Sequence, residues 1–205
     1  MRASGKRVLV SLALSVVFVL ASALPAAANS GKPRIPRDAA DWAAFTVAER
    51  QAAIGWEYQQ LQTALMSGVA IVREVTESGT LALLTIGASP MVTVTYQCTI
   101  QWTNLPEGTW TRGGGWTNST SPMYQIYASQ PGTYVGRFYR DGSQIKTWSY
   151  LAYNVSRAET YTDYDWKWWF EHPSYFSSGY HGAQQYYGGA WQLGPNQYCS
   201  ISAQP

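Results

Sequence analysis

The sequence predicts a mainly β fold, an antiparallel β-sandwich preceded by one amphipathic α-helix. Three observations lead there. From Val92 to Thr103 apolar and polar residues alternate without a break, the period of a strand with one covered face. Four turn-like clusters then recur at short spacing among aromatic and β-branched runs, the rhythm of an all-β domain. Ahead of both, Thr46 and Glu49 open a stretch of helical periodicity.

The chain starts with Arg2, Lys6 and Arg7, continues with an apolar run from Val8 to about Leu24, and reaches Pro25 and Ala26-Ala27-Ala28. This is the layout of a secretory leader cut after Ala28. Ser11, Ser15 and Ser22 inside the run favour cleavage over retention as a membrane anchor. The expectation is therefore a secreted, extracellular protein with no stable membrane insertion after cleavage. Taking 28 residues from 205 leaves 177, the size of one domain. The leader carries three of the 14 basic residues and none of the 12 acidic ones, so 11 basic residues face 12 acidic ones in the mature chain. That balance excludes the basic footprint of a nucleic-acid binder.

Residues 29–41, with Gly31, Pro33 and Pro36 among charges, read as a flexible linker. The helix is placed at 47–67. Ile54, Tyr58, Leu61 and Leu65 share a face, while Arg50, Glu57, Gln60 and Gln62 point elsewhere, and Gly68 stands at the C-terminal stop. Residues 69–90 allow a short hairpin or a second helix broken at Gly79. The expected division is a signal peptide (1–28), a linker (29–41), an N-terminal helical segment (42–68) and a β-rich domain (69–205).

In the alternating strand, Val92, Val94, Tyr96, Cys98, Ile100 and Trp102 form the inward face. The only other cysteine, Cys199, lies in a second strand-like run, so a Cys98–Cys199 disulfide is expected, tying the first long strand to the last. Closing a loop of about 100 residues is worth roughly 4–5 kcal/mol in the chain-entropy description. The punctuating clusters are Pro106-Glu107-Gly108, Gly113-Gly114-Gly115, Gln130-Pro131-Gly132 and Asp141-Gly142. The last predicts a type I′ hairpin joining Thr133–Arg140 to Ser143–Tyr153. Between Tyr161 and Glu171, Tyr164, Trp166, Trp168 and Phe170 share one parity, and Asp163, Asp165, Lys167, Trp169 and Glu171 the other. The Gly/Tyr-rich stretch from Ser174 to Gly194 reads as long loops or a β segment with exposed aromatics. The rhythm from Val92 to Asn154 resembles immunoglobulin-like sandwiches, with a jelly-roll-like arrangement as the other option. This likeness is one of architecture and implies no function.

Catalytic motifs are sparse. No G-x-S-x-G and no H-E-x-x-H occurs, and Gly113-Gly114-Gly115 lacks the Lys-Ser/Thr of a phosphate loop. Glu171, His172 and His181 read as polar loop residues, so neither a metal nor a cofactor is expected. Asn118-Ser119-Thr120 and Asn154-Val155-Ser156 match the glycosylation acceptor pattern and so imply surface loops. The positive signal is aromatic: aromatics make up 15% of the chain and charged residues 13%. Trp and Tyr offer rigid apolar faces with one polar atom, suited to the C–H face of a sugar. Candidate platform residues are Trp110, Trp116, Trp169, Tyr186, Tyr187 and Trp191.

The function expected first is a secreted non-enzymatic binding domain recognising a polysaccharide, a cell-wall polymer or an extracellular protein. A second reading is an extracellular hydrolase using Asp163, Asp165, Glu171 and His172, with Asp163 and Asp165 on one strand face about 7 Å apart. A third is a secreted protein-interaction or inhibitor module acting through the 47–67 helix.

Overall fold

The computed structural model describes residues 31–82, 92–132, 134–187, 190–193 and 196–205. The expected leader and the stretch 83–90 lie outside them. The chain divides into two units, Met1–Lys32 and Pro33–Pro205, and every element below belongs to the second.

Two helices precede the strands. The first, α1, spans Ala39–Ala44, and Asp38 caps it by accepting from the Asp41 N–H at 2.8 Å. Residues 33–41 are therefore not a loose linker. Pro36 is buried, Ile35 packs on the same apolar cluster as Trp42, and Arg34 pairs with Asp41 while its guanidinium lies 4.5 Å from the Phe45 ring. The second, α2, spans Val47–Met66 and starts with the Thr46/Glu49 capping box. Its buried face carries Ala53, Glu57 and Leu61. Glu57, expected to point away, is 2% exposed, and Tyr58, expected on the apolar face, is 46% exposed. The helix is turned because Trp110 docks against its backbone, donating its indole N–H to the Glu57 carbonyl at 3.2 Å.

The strands are β1 (Val72–Ala82), β2 (Thr93–Leu105), β3 (Gly108–Ala128), β4 (Gly136–Arg140), β5 (Ser143–Trp148), β6 (Tyr150–Tyr161), β7 (Asp165–Trp168), β8 (Tyr175–Tyr187), β9 (Ala190–Leu193) and β10 (Gln197–Ala203). β1 runs straight through Ser78-Gly79 and pairs with β2 along its whole length, so residues 72–82 form neither a hairpin nor a helix. In β2, Val94, Cys98 and Ile100 are buried as expected. Thr99 and Thr103 on the opposite face are buried as well, so the sheet is covered on both sides there. Asp141 (φ 50°) and Gly142 (φ 77°) both adopt the positive φ that the type I′ turn between β4 and β5 requires.

The protein is mainly β, and every pairing is antiparallel. The described strands form one open sheet rather than two separate ones, and β3 makes it so. Along Gly108–Ser119, β3 pairs with β2, and along Gln125–Ala128 it pairs with β8. On its other edge it holds β7 and then β6. The β3–β6 register shifts between Asn118 and Met123, a stretch that includes Pro122, which has no N–H to give a ladder. Gly113-Gly114-Gly115, expected as a turn, lies mid-strand. A Cβ at Gly114 would strike the Thr160 carbonyl, and one at Gly113 the Phe138 ring. The triplet thus permits close approach on both faces instead of reversing the chain. The sheet curls so that β10 lies across β2, and Cys98–Cys199 joins them with Cα atoms 5.9 Å apart across a separation of 101 residues. The Ser174–Gly194 stretch is largely strand, and its Tyr175 is buried.

Candidate functional site

Where the helices meet β7, the tryptophans gather. In β7, Trp166 and Trp168 lie two residues apart and so share a face, with ring centroids 5.2 Å apart and planes at 88°. Trp166 sits directly opposite Trp110 of β3, centroids 4.9 Å apart. Trp168 meets Trp42 of α1 edge-on at 5.2 Å. Tyr164 closes on Trp110 at 6.5 Å. Period two in β7, the β3 register and the helical cap thus assemble a continuous chain of indoles. Trp42, Ile54, Trp110, Tyr164, Trp166 and Trp168 line a cleft of about 320 Å³, and Arg140, Asp165 and Glu171 complete its wall. Among the described residues neither Trp166 Nε1 nor Trp168 Nε1 has a hydrogen-bond partner within the protein.

The three charged groups form one unit. Arg140, the last residue of β4, reaches Asp165 at 3.2 Å, Glu171 at 3.0 Å and the Trp166 carbonyl at 2.9 Å. Tyr175, the register partner of Arg140, donates to Asp165 at 2.9 Å, and Glu171 accepts from the Trp168 N–H at 2.8 Å. Burial works to lower the Arg140 pKa, but Tyr175, Asp165 and Glu171 outweigh it and the net shift is upward. Burial, reinforced by the Asp165 charge, pushes the Tyr175 phenol up, so this hydroxyl stays a donor at neutral pH. The side chains remain roughly a quarter exposed (Arg140 23%, Asp165 21%, Glu171 29%), so the unit faces both protein and solvent.

Of the candidate platform residues, Trp110, Trp116 and Trp169 stand apart. Trp110 is 4% exposed and belongs to the wall of the cleft and the core, not to the surface. Trp116 is half-buried under the Arg157 guanidinium, 4.8 Å from its ring. Trp169 is 56% exposed, with its backbone N–H on the Glu107 carbonyl. Strand rise places Trp116 roughly 30 Å along β3 from Glu107, too far to share a ligand face with Trp169. The backbones of Tyr186, Tyr187 and Trp191 lie in β8 and β9, and their side chains lie outside the described part of the structure. Of the acidic and histidine cluster, Asp165 and Glu171 converge, while Asp163 and His172 are exposed outside the cleft. Asn118 stands inside β3 rather than on a loop, whereas Asn154 is exposed on β6 at φ 57°.

His181, expected in a polar loop, is fully buried in β8. Its ring lies between Tyr96 (5.4 Å) and Trp148 (5.9 Å). Its Nδ1 is 2.8 Å from Thr117 Oγ1, and its Nε2 is 3.6 Å from Cys98 Sγ. Burial pushes its pKa down to about 3. Nothing in the local sequence Tyr180-His181-Gly182 announces this, because the surroundings come from β2, β3, β5 and β10.

No protein-family model, curated protein or solved structure matches this chain. Among the described residues no helix is long and apolar enough to cross a membrane.

Proposed function

We propose that this is an exported, non-enzymatic binding domain that takes a sugar unit of a polysaccharide or cell-wall polymer in the tryptophan-walled cleft. The observation that carries the reading is the meeting of aromatic walls and a partly exposed Arg–Asp–Glu unit in one cavity. A sugar ring presents both matching surfaces: C–H faces for Trp42 and Tyr164, and hydroxyls that donate to carboxylates and accept from the guanidinium. The cleft volume falls at the small end of ligand pockets, which run from about 300 to 1,000 Å³, and suits one or two ring units rather than a long groove. Export is supported by the leader-like residues 1–28 and by a disulfide, a bond that lasts in oxidising compartments.

The test is titration of the folded protein with oligosaccharides and soluble cell-wall fragments, followed by tryptophan fluorescence. A saturable change is expected, with Kd raised at least tenfold in Trp42→Ala and in Arg140→Met. A panel of such ligands that leaves the emission unmoved would sink the reading.

One observation favours hydrolysis as a second reading: Asp165 and Glu171 both line the cleft. Against it, a single guanidinium holds both carboxylates, where glycoside cleavage needs one acid and one base or nucleophile placed across the scissile bond. Turnover of a bound oligosaccharide that Asp165→Asn abolishes would establish catalysis.

A further inference from the structure

We propose a second site in this protein: when the Cys98–Cys199 bond is reduced, Cys98, Cys199 and His181 bind a thiophilic divalent ion of the zinc class within the core. Their ligand atoms all lie within 4.8 Å of one another, and all three residues are buried. Zinc bonds of about 2.3 Å to sulfur and 2.0–2.1 Å to nitrogen at a tetrahedral angle put N and S roughly 3.6 Å apart. His181 Nε2 stands 3.6 Å from Cys98 Sγ. The two sulfurs must part to about 3.8 Å on the same arithmetic, a movement of side-chain torsions.

The tautomer supplies an independent argument. The Thr117 hydroxyl donates its proton to the Tyr127 carbonyl at 2.7 Å. Towards His181 that hydroxyl can only accept, so Nδ1 carries the ring proton and Nε2 presents its lone pair to the sulfur. An Nδ1–H held by an oxygen, with Nε2 free, is the arrangement that orients a metal-ligating histidine. Gly115 preserves the ring position, since a Cβ there would sit 3.1 Å from His181 Cε1.

Charge selects the ion. Reduction adds two electrons and two protons to the disulfide, supplied by a dithiol or phosphine that is itself oxidised. Binding then releases both thiol protons to solvent. Two thiolates and a neutral imidazole exactly offset a 2+ ion, leaving no net charge in an apolar interior where an unbalanced one is costly. Disulfide and metal are thus alternative closures of the same clamp between β2 and β10.

The experiment uses the full chain, reduced with a phosphine under argon and freed of metal, with Zn²⁺ titrated against a chromophoric chelator. Co²⁺ serves as the spectroscopic probe of thiolate ligation. One equivalent of Zn²⁺ is expected on the reduced protein and none on the oxidised protein, with thiolate-to-cobalt charge transfer and a native near-UV spectrum. His181→Gln should weaken binding more than tenfold. Thr117→Val, which leaves the ligands intact but removes the Nδ1 acceptor, should weaken it about tenfold. A reduced, folded protein that binds no stoichiometric zinc overturns the proposal. So does affinity unchanged in both variants, or a reduced chain that unfolds and whose near-UV spectrum zinc does not restore.

Discussion

Two polar groupings among the described residues, one around His181 and one around Arg140, are completed differently. At His181 both ring nitrogens are engaged by protein atoms, the ring is enclosed by Tyr96 and Trp148, and a covalent bond locks the layers beside it. At Arg140 the charges compensate one another but stay partly exposed in the wall of a cleft. Both sites are built from aromatics and a few polar atoms. Polar groups enclosed by protein stabilise the fold, whereas charged groups that keep part of their surface in a cleft can meet a ligand.

Removing the clamp should have the largest effect. The double substitution Cys98→Ala and Cys199→Ala is expected to lower stability by roughly 4–5 kcal/mol, because the bond closes a loop of 101 residues. Denaturant midpoints of the variant and the parent measure it, and a loss under 1 kcal/mol would show that the closed grouping does not depend on its covalent bond.

Acid should act next, and on the same grouping. The folded-state pKa of His181 is depressed to about 3 from an ordinary 6.5, so its contribution is fully present above pH 6.5 and is lost as pH falls towards 3. Between pH 6.5 and 5, above the main carboxylate range, the loss amounts to about 1.5–2 kcal/mol. Urea midpoints across that window should slope downward in the parent and lie flat in His181→Gln. Equal slopes in the two proteins would exclude His181 as the titrating group.

At the cleft the balance between stability and binding should reverse. Arg140→Met leaves Asp165 and Glu171 without their cation, yet the partial exposure of the unit limits the expected loss to about 1–3 kcal/mol. Oligosaccharide affinity should fall by more than the thermal shift accounts for. Binding that survives in a folded Arg140→Met protein would remove the charged unit from the site.

The smallest effect is expected at the helix over the cleft. Thr46→Ala breaks the capping box of α2 and should cost about 1 kcal/mol, read from the thermal midpoint. Ligand affinity should hold, because Trp42 and Ile54 meet the cleft from other positions. A larger loss of affinity than of stability would mean that the helix terminus itself shapes the pocket.

The features legible in the residue order are local or forced by counting. The capping box, the Asp141-Gly142 turn and the alternation that buries Val94, Cys98 and Ile100 each depend on a few adjacent residues. With only two cysteines, one intramolecular pairing was available. Tertiary structure alone decided the rest. The glycine triplet reads as a turn until the Phe138 ring and the Thr160 backbone carbonyl come too close to leave room for a Cβ. Glu57 reads as exposed until Trp110 docks on its carbonyl, and the Arg140–Asp165–Glu171 unit exists only because the β4–β8 register sets Arg140 beside Tyr175. The cleft and the histidine site arise where strands distant in sequence are brought together. Periodicity within one segment carries no record of the neighbour that will lie across it.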